Sequence, residues 1–571
     1  MLFVIVVAMA SASSRGAFAQ AAGDQRAIER QQDQIQQLQQ QRFDQRGRDR
    51  RLSEPPPEPL PVPPAGPSEL SPSAVCFTLR RIVFEGATLL SEDDRQDLSA
   101  GYPGRCVSFA EVNEILRAVT DLYAARGYVT TRATLPQQNV ADGILTIRVV
   151  EGRLQGFDWN GEPASDLSEV LAAFPAAPGE VLNLRDLEQG IDQLNRLRSN
   201  DARIELIPGD RPGDSRVAIT DKPSKTWRVT GGVDNSGQRT TGELQTKASA
   251  EIEDLLGVND SFAIFHSQDL LGNSSQRSSR SWAINGSVPR GYWRFNGAVD
   301  FMQYRSMIYG LNQIIQSAGT QRAVNLGLDR MLWRDDVGKT FASFTLSYKS
   351  VVNDVAGVVV AGSSPKLVIA GGGLDDVRRL LDGVLHSNLQ YAGGLHALGA
   401  REDGGWAGSP KAQFTVWRGD LSYAHPIEVA GLPRLTLSSG AHGQWTTDAL
   451  YSTEQVALGG ESTVRGYKDQ ILQGNRGGNL HTELSAELPS GFAAIDETLG
   501  VIRPFAAYDV GVVSHFHPDN SVGGRLSGAA VGVRLGGPWL EGELTCAWPL
   551  AHPASIETPP HQLTFSLVLV L

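Results

Sequence analysis

The last nine residues of the chain, 563–571, read LTFSLVLVL. Leu or Phe occupies every odd-numbered position, so an extended segment here would present one wholly apolar face. Such a face suits a strand of a transmembrane β-barrel, in which one side contacts lipid and the other borders a wet lumen. A soluble β-sandwich also alternates, so the rest of the chain must decide between the two.

The same alternation recurs throughout residues 224–571. Trp293, Phe295, Val299 and Phe301 would share one face of a strand, with polar residues between them. A segment of about 345 residues, at roughly 20 residues for a strand and its share of the loops, gives about 16 strands, and 14 or 18 also fit this arithmetic. We therefore predict a membrane all-β fold, an antiparallel transmembrane β-barrel of about 16 strands.

The beginning of the chain predicts export. Residues 1–19 contain an apolar run followed by small residues that end in Ala17-Phe18-Ala19, the pattern of a signal peptide cut after Ala19. No Lys or Arg precedes the apolar run, so we expect the true start codon to lie upstream. A membrane-anchor helix is the alternative, but the run is shorter than the ~20 residues that a span needs. An exported chain without such a span can cross a membrane as a closed barrel.

Two unusual segments follow. Residues 20–46 are polar and rich in Gln, with a thin apolar stripe of Ile28, Ile35 and Leu38 that predicts an N-terminal helix. Its roughly 20 central residues would span about 30 Å, close to the thickness of a bilayer's hydrocarbon layer. The helix would suit a polar tunnel as a plug, and a frayed solvent helix or a coiled-coil arm explains the same pattern. Residues 47–73 are Pro-rich and predict an extended linker.

Residues 74–152 and 153–223 repeat one order of strand and helix signals, which predicts two copies of a small α+β module. Cys76 and Cys106 both fall in the first copy, and an exported protein meets an oxidising periplasm, so we predict a disulfide between them. The predicted elements are 77–84, 109–126, 129–135 and 144–150 in the first copy, and 154–159, 166–174, 184–198, 202–207 and 215–220 in the second.

Composition and motifs disfavour several function classes. A formal net charge of -12 without a basic block argues against a nucleic-acid partner. We find no nucleophile elbow, phosphate loop or Cys-His pair, so we expect neither an enzyme nor a cofactor. His515 and His517, near Asp519, are better explained as loop residues than as metal ligands, because no third and fourth ligand are suitably spaced. Cys546 is interpreted as a buried or lipid-facing hydrophobe.

Two motifs carry a family resemblance. Residues 458–467 read LGGESTVRGY, and residues 504–511 read PFAAYDVG. Each is weak alone, but in this order near the end of a barrel they resemble the loop and strand motifs of the two-partner secretion transporters (TpsB type), which export haemolysins, filamentous haemagglutinins and related proteins. The resemblance implies functional roles for Val464, Arg465, Gly466 and Tyr467 in the loop, and for Phe505, Asp509 and Gly511 on the barrel wall.

The two motifs also have a physical interpretation of their own. Gly466 permits a sharp turn beside Arg465, and Asp509 lies in an otherwise apolar strand, where a desolvated carboxylate would need a cation. If the loop folds back into the lumen, Arg465 can give Asp509 a bidentate partner. Taken alone, an Arg at a loop tip is more simply a solvated residue. The resemblance places the loop inside the barrel and thereby implies the pair.

The two modules resemble the POTRA (polypeptide-transport-associated) domains of the same family. Residues 126–137 and 142–152 are close to the pattern of the first such domain. These domains would expose a strand edge beside a helix, and an unfolded client can add to that edge as an extra strand. Because main-chain pairing demands little of a client's sequence, this mode suits a domain that handles a long unfolded chain.

The resemblance implies translocation of a large, unfolded exoprotein (a haemolysin, adhesin or related protein) across the outer membrane of a Gram-negative bacterium, with periplasmic POTRA domains. Expected partners are that client, outer-membrane lipid and the barrel assembly machinery that would insert the protein itself. One alternative is a barrel-assembly factor of the same superfamily, which the N-terminal helix, the Pro-rich linker and the presence of only two modules disfavour. The other is a plain porin or adhesin barrel, in which Arg465 and Asp509 would have no role.

Overall fold

A computed structural model describes residues 55–57, 76–164, 168–270, 276–309, 314–404, 408–488, 500–514 and 523–571. The predicted signal peptide at 1–19 and the predicted helix at 20–46 lie outside these residues. So does the predicted linker at 47–73, apart from 55–57. None of the helices in the described part of the chain is both long and apolar enough to cross a membrane.

The first module is a small sheet covered by a long helix. That helix begins at a capping box formed by Ser108 and Glu111, and it buries Ile115 and Val119 against the sheet. The elements are β1 (Cys76–Thr78), β2 (Arg81–Glu85), α1 (Glu92–Ser99), β3 (Cys106–Ser108), α2 (Phe109–Ala125), β4 (Arg132–Thr134) and β5 (Ile144–Val150). β5 pairs in parallel with β2 and antiparallel with β4, while β1 pairs with β3.

Two predicted strands of this module differ from the observed ones. The single strand at 77–84 is wrong, because the Leu79 amide donates to Arg105 O and the Arg80 amide to Gly143 O, so the chain changes partner there and forms β1 and β2. The strand at 129–135 is reduced to the three residues of β4.

The second module has a four-stranded sheet with the strands in the order Glu162–Pro163, Arg153–Trp159, Asp214–Thr220 and Arg203–Pro208, and its two middle strands are parallel. Its core joins Phe157 and Val217 of the sheet to Phe174 and Leu187 on the helical side. Gly190 of the long helix lies against Phe174, where a Cβ would come within 2.0 Å of the ring. The elements are β6 (Arg153–Trp159), β7 (Glu162–Pro163), α3 (Ser168–Ala173), α4 (Leu184–Asn195), β8 (Arg203–Pro208) and β9 (Asp214–Thr220).

The remaining described residues build a closed antiparallel barrel of 16 strands, in which the last strand, Gln562–Val570, pairs with the first, Trp227–Asp234, so the predicted fold class is confirmed. The two-residue strand Val358–Val359 forms a short hairpin with Gly338–Val355. The short strands Val456–Leu458 and Leu472–Gly474 pair with each other instead of joining the wall. The strands are β10 (Trp227–Asp234), β11 (Gln245–Glu253), β12 (Ser261–Asp269), β13 (Ser278–Arg290), β14 (Trp293–Tyr309), β15 (Ile314–Arg334), β16 (Gly338–Val355), β17 (Val358–Val359), β18 (Lys366–Leu380), β19 (Gly383–Gly394), β20 (Thr415–Ile427), β21 (Leu435–Trp445), β22 (Val456–Leu458), β23 (Leu472–Gly474), β24 (Arg476–Ala486), β25 (Val501–Ser514), β26 (Gly524–Gly536), β27 (Leu540–Ala551) and β28 (Gln562–Val570).

Alternation along the wall separates a lipid face from a lumen face. On β25, Tyr508 and Val512 are exposed on the outside, whereas Phe505 and Asp509 are buried on the inside. The odd-numbered Leu and Phe residues of the final segment, 563–571, are all exposed on the outer face. Cys546 has the same parity as the exposed Leu544 and Trp548 of β27 and therefore faces lipid.

The second module is attached to the turns at one end of the barrel. Arg334 Nε lies 3.0 Å from Glu188 Oε2 of α4, and Lys339 Nζ lies 2.7 Å from Asp192 Oδ2 of the same helix. The backbone carbonyl of Gly291, in the turn between β13 and β14, accepts a hydrogen bond from the Gln189 amide at 3.0 Å. If the modules lie in the periplasm, as the resemblance implies, this is the periplasmic end of the barrel.

Candidate functional site: the lumen loop

A long connection folds back into the barrel. Residues 446–475, called here the lumen loop, join β21 to β24 and contain the β22–β23 hairpin. Val464 and Leu458 of the loop are fully buried in an apolar cluster with Val513 of β25 and Leu526 of β26. Because the loop packs on inward-facing wall residues, it lies inside the barrel.

The tip of the loop carries Arg465, which binds Asp509 on β25. Arg465 Nε lies 2.8 Å from Asp509 Oδ2, and its Nη2 lies 2.9 Å from Asp509 Oδ1, so the pair is bidentate. The backbone amide of Arg465 also donates to Asp509 Oδ2, at 3.0 Å. Arg465 is 5% exposed and Asp509 is 0% exposed. A charge pair this deeply buried needs every one of these contacts to offset its lost hydration.

Neighbouring strands extend this contact into a charge cluster. Arg465 Nη1 donates to Glu483 Oε2 of β24 at 3.0 Å, and Glu483 also binds Arg534 of β26. The Phe505 ring lies beside both guanidinium groups, with its centroid 4.2 Å from Arg534 Cζ and 5.7 Å from Arg465 Cζ. Across the β24–β25 ladder, His481 Nδ1 lies 2.8 Å from Asp509 Oδ1.

Glycines allow the loop tip to approach the wall. Gly466 has φ +97°, and a Cβ there would lie 2.8 Å from Pro549 N of β27. On the wall, a Cβ at Gly528 would lie 2.0 Å from the carbonyl oxygen of Arg465, and one at Gly511 would lie 2.7 Å from Leu458 Cδ1. The backbone of the tip therefore lies directly against the bare backbone of the wall.

Tyr467 completes the tip on the side of β26 and β27. Its hydroxyl lies 2.8 Å from Ser527 O and 2.9 Å from Ala551 O, and it donates to these backbone carbonyls. One residue further, Lys468 Nζ binds Glu243 Oε1 at 2.6 Å, in the connection between β10 and β11. The tip thus contacts the wall from β24 across the closing strand pair to the start of the barrel.

The beginning of the loop, its stem, is held by a second cluster on other strands. The buried carboxylate of Glu454 lies 2.6 Å from Lys349 Nζ of β16 and 3.0 Å from Arg418 Nη2 of β20. The Gln444 side-chain amide donates to Glu454 O at 2.9 Å and to Asn475 O at 3.2 Å, which links the two ends of the loop. Arg418 also donates to the Gln444 amide oxygen, at 2.9 Å.

The structure brings all seven residues of the two predicted motifs into one contact region at the loop tip. It joins Cys76 and Cys106 by a disulfide, with their Cα atoms 5.4 Å apart. The histidines at 515 and 517 lie outside the described residues. Sequence reasoning missed the loop residue Glu454 and the partners that come from wall strands. For the latter, a charged residue at an inward position of an alternating strand would have been a usable signal: Lys349, Arg418, His481, Glu483 and Arg534.

Family profiles match the chain in three segments. The profile described as "Haemolysin secretion/activation protein ShlB/FhaC/HecB" covers residues 213–535. The profiles "POTRA domain, ShlB-type" and "POTRA domain" cover 77–152 and 153–208. The ShlB/FhaC/HecB profile matches more than half of the chain, and the matched segment includes the lumen loop with its wall partners.

Individual relatives agree with these profiles. The chain is 35% identical over 492 residues to the outer membrane transporter CdiB of Dickeya dadantii (strain 3937), which is 84% of either chain. It is 29% identical over 524 residues to the hemolysin transporter protein ShlB of Serratia marcescens, covering 91% of this chain and 89% of that protein. The solved structure of CdiB from Escherichia coli matches with a TM-score of 0.82 at 33% identity, over 95% of this chain and 98% of that one. The chain therefore belongs to the ShlB/FhaC/HecB family of haemolysin secretion/activation proteins, the two-partner secretion transporters, which export an exoprotein through the outer membrane and are not enzymes.

Proposed function

We propose that this transporter conducts a large, unfolded exoprotein through its barrel, and that the contact between Arg465 and Asp509 holds the lumen loop in the position required for secretion. The burial of the pair carries the proposal. Removing one partner of a buried ion pair typically costs about 3–5 kcal/mol, because the other charge is left without compensation. A closed membrane barrel survives such a loss, so the consequence falls on the position of the loop.

The client first binds the second module by adding a strand beside β8, Arg203–Pro208. β8 is an edge strand, and among the described residues it pairs with β9 only. In the first module the corresponding edge strand, β4, has only three residues, and beyond its end the Gln138 side-chain amide takes the place of a strand by bonding both the N–H and the carbonyl of Thr146 on β5, each at 2.7 Å. The longer edge of β8 therefore favours capture at the second module.

The N-terminal helix at 20–46 plugs the resting lumen, and the linker at 47–73 lets it leave when the client arrives. The polar composition of the helix and its thin apolar stripe support this role. Its removal should raise the single-channel conductance in planar bilayers while barrel assembly stays normal. An unchanged conductance would contradict the plug.

We place the domain boundaries at 74–152, 153–223 and 224–571, with the signal peptide at 1–19. Outer-membrane lipid and the barrel assembly machinery are the remaining partners.

Site-specific photocrosslinking tests the route. A photoreactive amino acid at Gln390, which faces the lumen on β19, should crosslink to a client arrested during secretion, whereas the same group at the adjacent lipid-facing Leu389 should not. In the capture step, a probe at Glu205 on β8 should crosslink, and one at Thr134 on β4 should give much less product. Equal crosslinking at Gln390 and Leu389 would contradict passage through the lumen.

A further inference from the structure

Three leucines form an exposed apolar patch at the periplasmic rim. Leu255 and Leu256, in the turn between β11 and β12, are 58% and 61% exposed, and Leu171 on α3 of the second module is 45% exposed. A short turn and a short helix that both present leucines outward are unusual for surfaces bathed in water.

The helix and the turn are joined, so the patch is one surface. Ser168 Oγ donates to Gly257 O at 3.4 Å, and the Asn259 side-chain amide donates to Glu169 O at 3.0 Å. Leu171 lies three residues after Ser168, so it is on the side of α3 that contacts the turn. On its other side α3 is fixed to the barrel, because the Gly291 amide donates to Ala172 O at 2.8 Å.

The patch continues the lipid-facing surface of the barrel. Trp227 of β10 and Ile252 of β11 are direct ladder partners, and both are exposed on the outer face just before the turn. The Lys225 ammonium lies 4.5 Å from the centroid of the Trp227 ring, and Lys222 is exposed nearby in the chain. An aromatic residue with a lysine at the rim of a barrel is typical of the headgroup layer of a membrane.

The backbone of the turn between β11 and β12 can be removed from water at little cost. Both amides at its apolar tip are satisfied from within, since the Leu255 and Leu256 N–H groups donate to the Asp260 carboxylate at 3.1 and 2.9 Å. The backbone amide of Asn259 donates to Asp254 Oδ1 at 2.9 Å. A turn whose amides are already bonded can enter an apolar layer without the cost of unsatisfied backbone groups.

We propose that the second module contacts the membrane directly: Leu171 of α3, together with Leu255 and Leu256, inserts into the periplasmic leaflet of the outer membrane, against phospholipid. Lys222 and Lys225 then lie at the level of the lipid phosphates. The module is thus held against the membrane as well as against the barrel, and this fixes the direction in which the edge of β8 faces the periplasm.

Fluorescence quenching in nanodiscs tests this contact on the full chain. In a Cys546→Ser background with the Cys76–Cys106 disulfide oxidised, a bimane label is attached to Leu171→Cys or Leu256→Cys. The nanodiscs contain phosphatidylethanolamine and phosphatidylglycerol with brominated acyl chains. Quenching at both positions should approach that at Phe344→Cys on the outer face of the barrel. A label at Leu89→Cys, exposed on the first module, should show none and serves as the matched control.

Three results would overturn the proposal. If the labels at positions 171 and 256 were quenched no more than the label at position 89, the patch would not be in the bilayer. If the label at position 171 alone were unquenched, the turn would touch lipid but the second module would not. If that label instead became shielded from aqueous iodide when unfolded client was added, the patch would be a client site.

Discussion

The two ends of the lumen loop are held by charge clusters of opposite design. At the tip a cation, Arg465, is surrounded by the carboxylates of Asp509 and Glu483, and at the stem a carboxylate, Glu454, is surrounded by the cations of Lys349 and Arg418. The tip partners come from the adjacent strands β24 and β25, whereas the stem partners come from β16 and β20. The loop is therefore fixed to two separate parts of the wall.

The two clusters also differ in how firmly they fix the position of the loop. At the tip, a bidentate guanidinium and a close backbone approach at Gly528 leave the loop little room to shift. At the stem, the Gln444 side chain would still hold Glu454 O if the carboxylate were removed. The comparison teaches that the tip sets the position of the loop, and the stem acts as a tether.

The largest effect is expected for Arg465→Ala. It leaves the buried Asp509 without its guanidinium partner and takes from Glu483 one of its two arginines, since Arg534 remains. A loss of this kind costs about 3–5 kcal/mol, so the held position should lose more than 100-fold in population. Secreted client should nearly vanish while heat-modifiable barrel in the outer membrane stays at the wild-type level. Arg503→Ala, a half-exposed arginine on the same strand as Asp509, is the matched control and should secrete normally.

A steric change at the same place should have the next largest effect. Gly528→Ala keeps every charge but drives a methyl group into the carbonyl of Arg465, and overpacking of this kind costs about 1–3 kcal/mol. Secretion should fall several-fold. Gly443→Ala, where a Cβ would meet nothing within 4 Å, should be silent. Normal export by Gly528→Ala would show that close approach of the tip is not required.

Glu454→Gln at the stem should weaken secretion less than either tip variant. The substitution removes the anion between Lys349 and Arg418 but keeps the backbone contact to Gln444 and the whole tip cluster. Secretion assays at equal barrel levels measure the difference. A defect as severe as that of Arg465→Ala would overturn the division between a positioning tip and a tethering stem.

The smallest effect on secretion is expected for the double variant Cys76→Ala/Cys106→Ala. The disulfide closes a loop with a sequence separation of 30 residues in the first module, far along the chain from the lumen loop. Its loss should lower the stability of that module by roughly 3–4 kcal/mol on the loop-entropy model. Limited proteolysis should detect the change, while the loop, and hence export near room temperature, is unaffected. A secretion defect equal to that of the tip variants would contradict this separation.

The fold was predictable from the sequence because every second residue of a membrane-barrel strand faces lipid and is therefore apolar. The outward Leu and Phe of residues 563–571 follow from that rule, whereas the count of about 16 strands came from the length of the segment. The fold class and the family assignment from the two motifs are confirmed. The partners of the loop could not be predicted in the same way. His481 meets Asp509 across the ladder only through the strand register, and Lys349 meets Glu454 only through the closure of the barrel.

Some of these partners left a readable trace. Glu483 lies between the outward-facing Leu480 and Leu484 of β24, so its inward position can be read from the alternation. The alternation does not reveal which loop residue it meets. In the first module, the strand predicted at 77–84 failed for a similar reason, since the change of partner after Thr78 depends on Gly143, far away in sequence.

A double-mutant cycle between Arg465 and Asp509 tests the central claim most directly. Secretion of client is measured for Arg465→Ala, Asp509→Ala and the double variant, at matched amounts of assembled barrel. Because the two residues act as one unit, the double variant should be scarcely worse than either single variant. Strictly additive defects, or wild-type export by Arg465→Ala, would contradict the account.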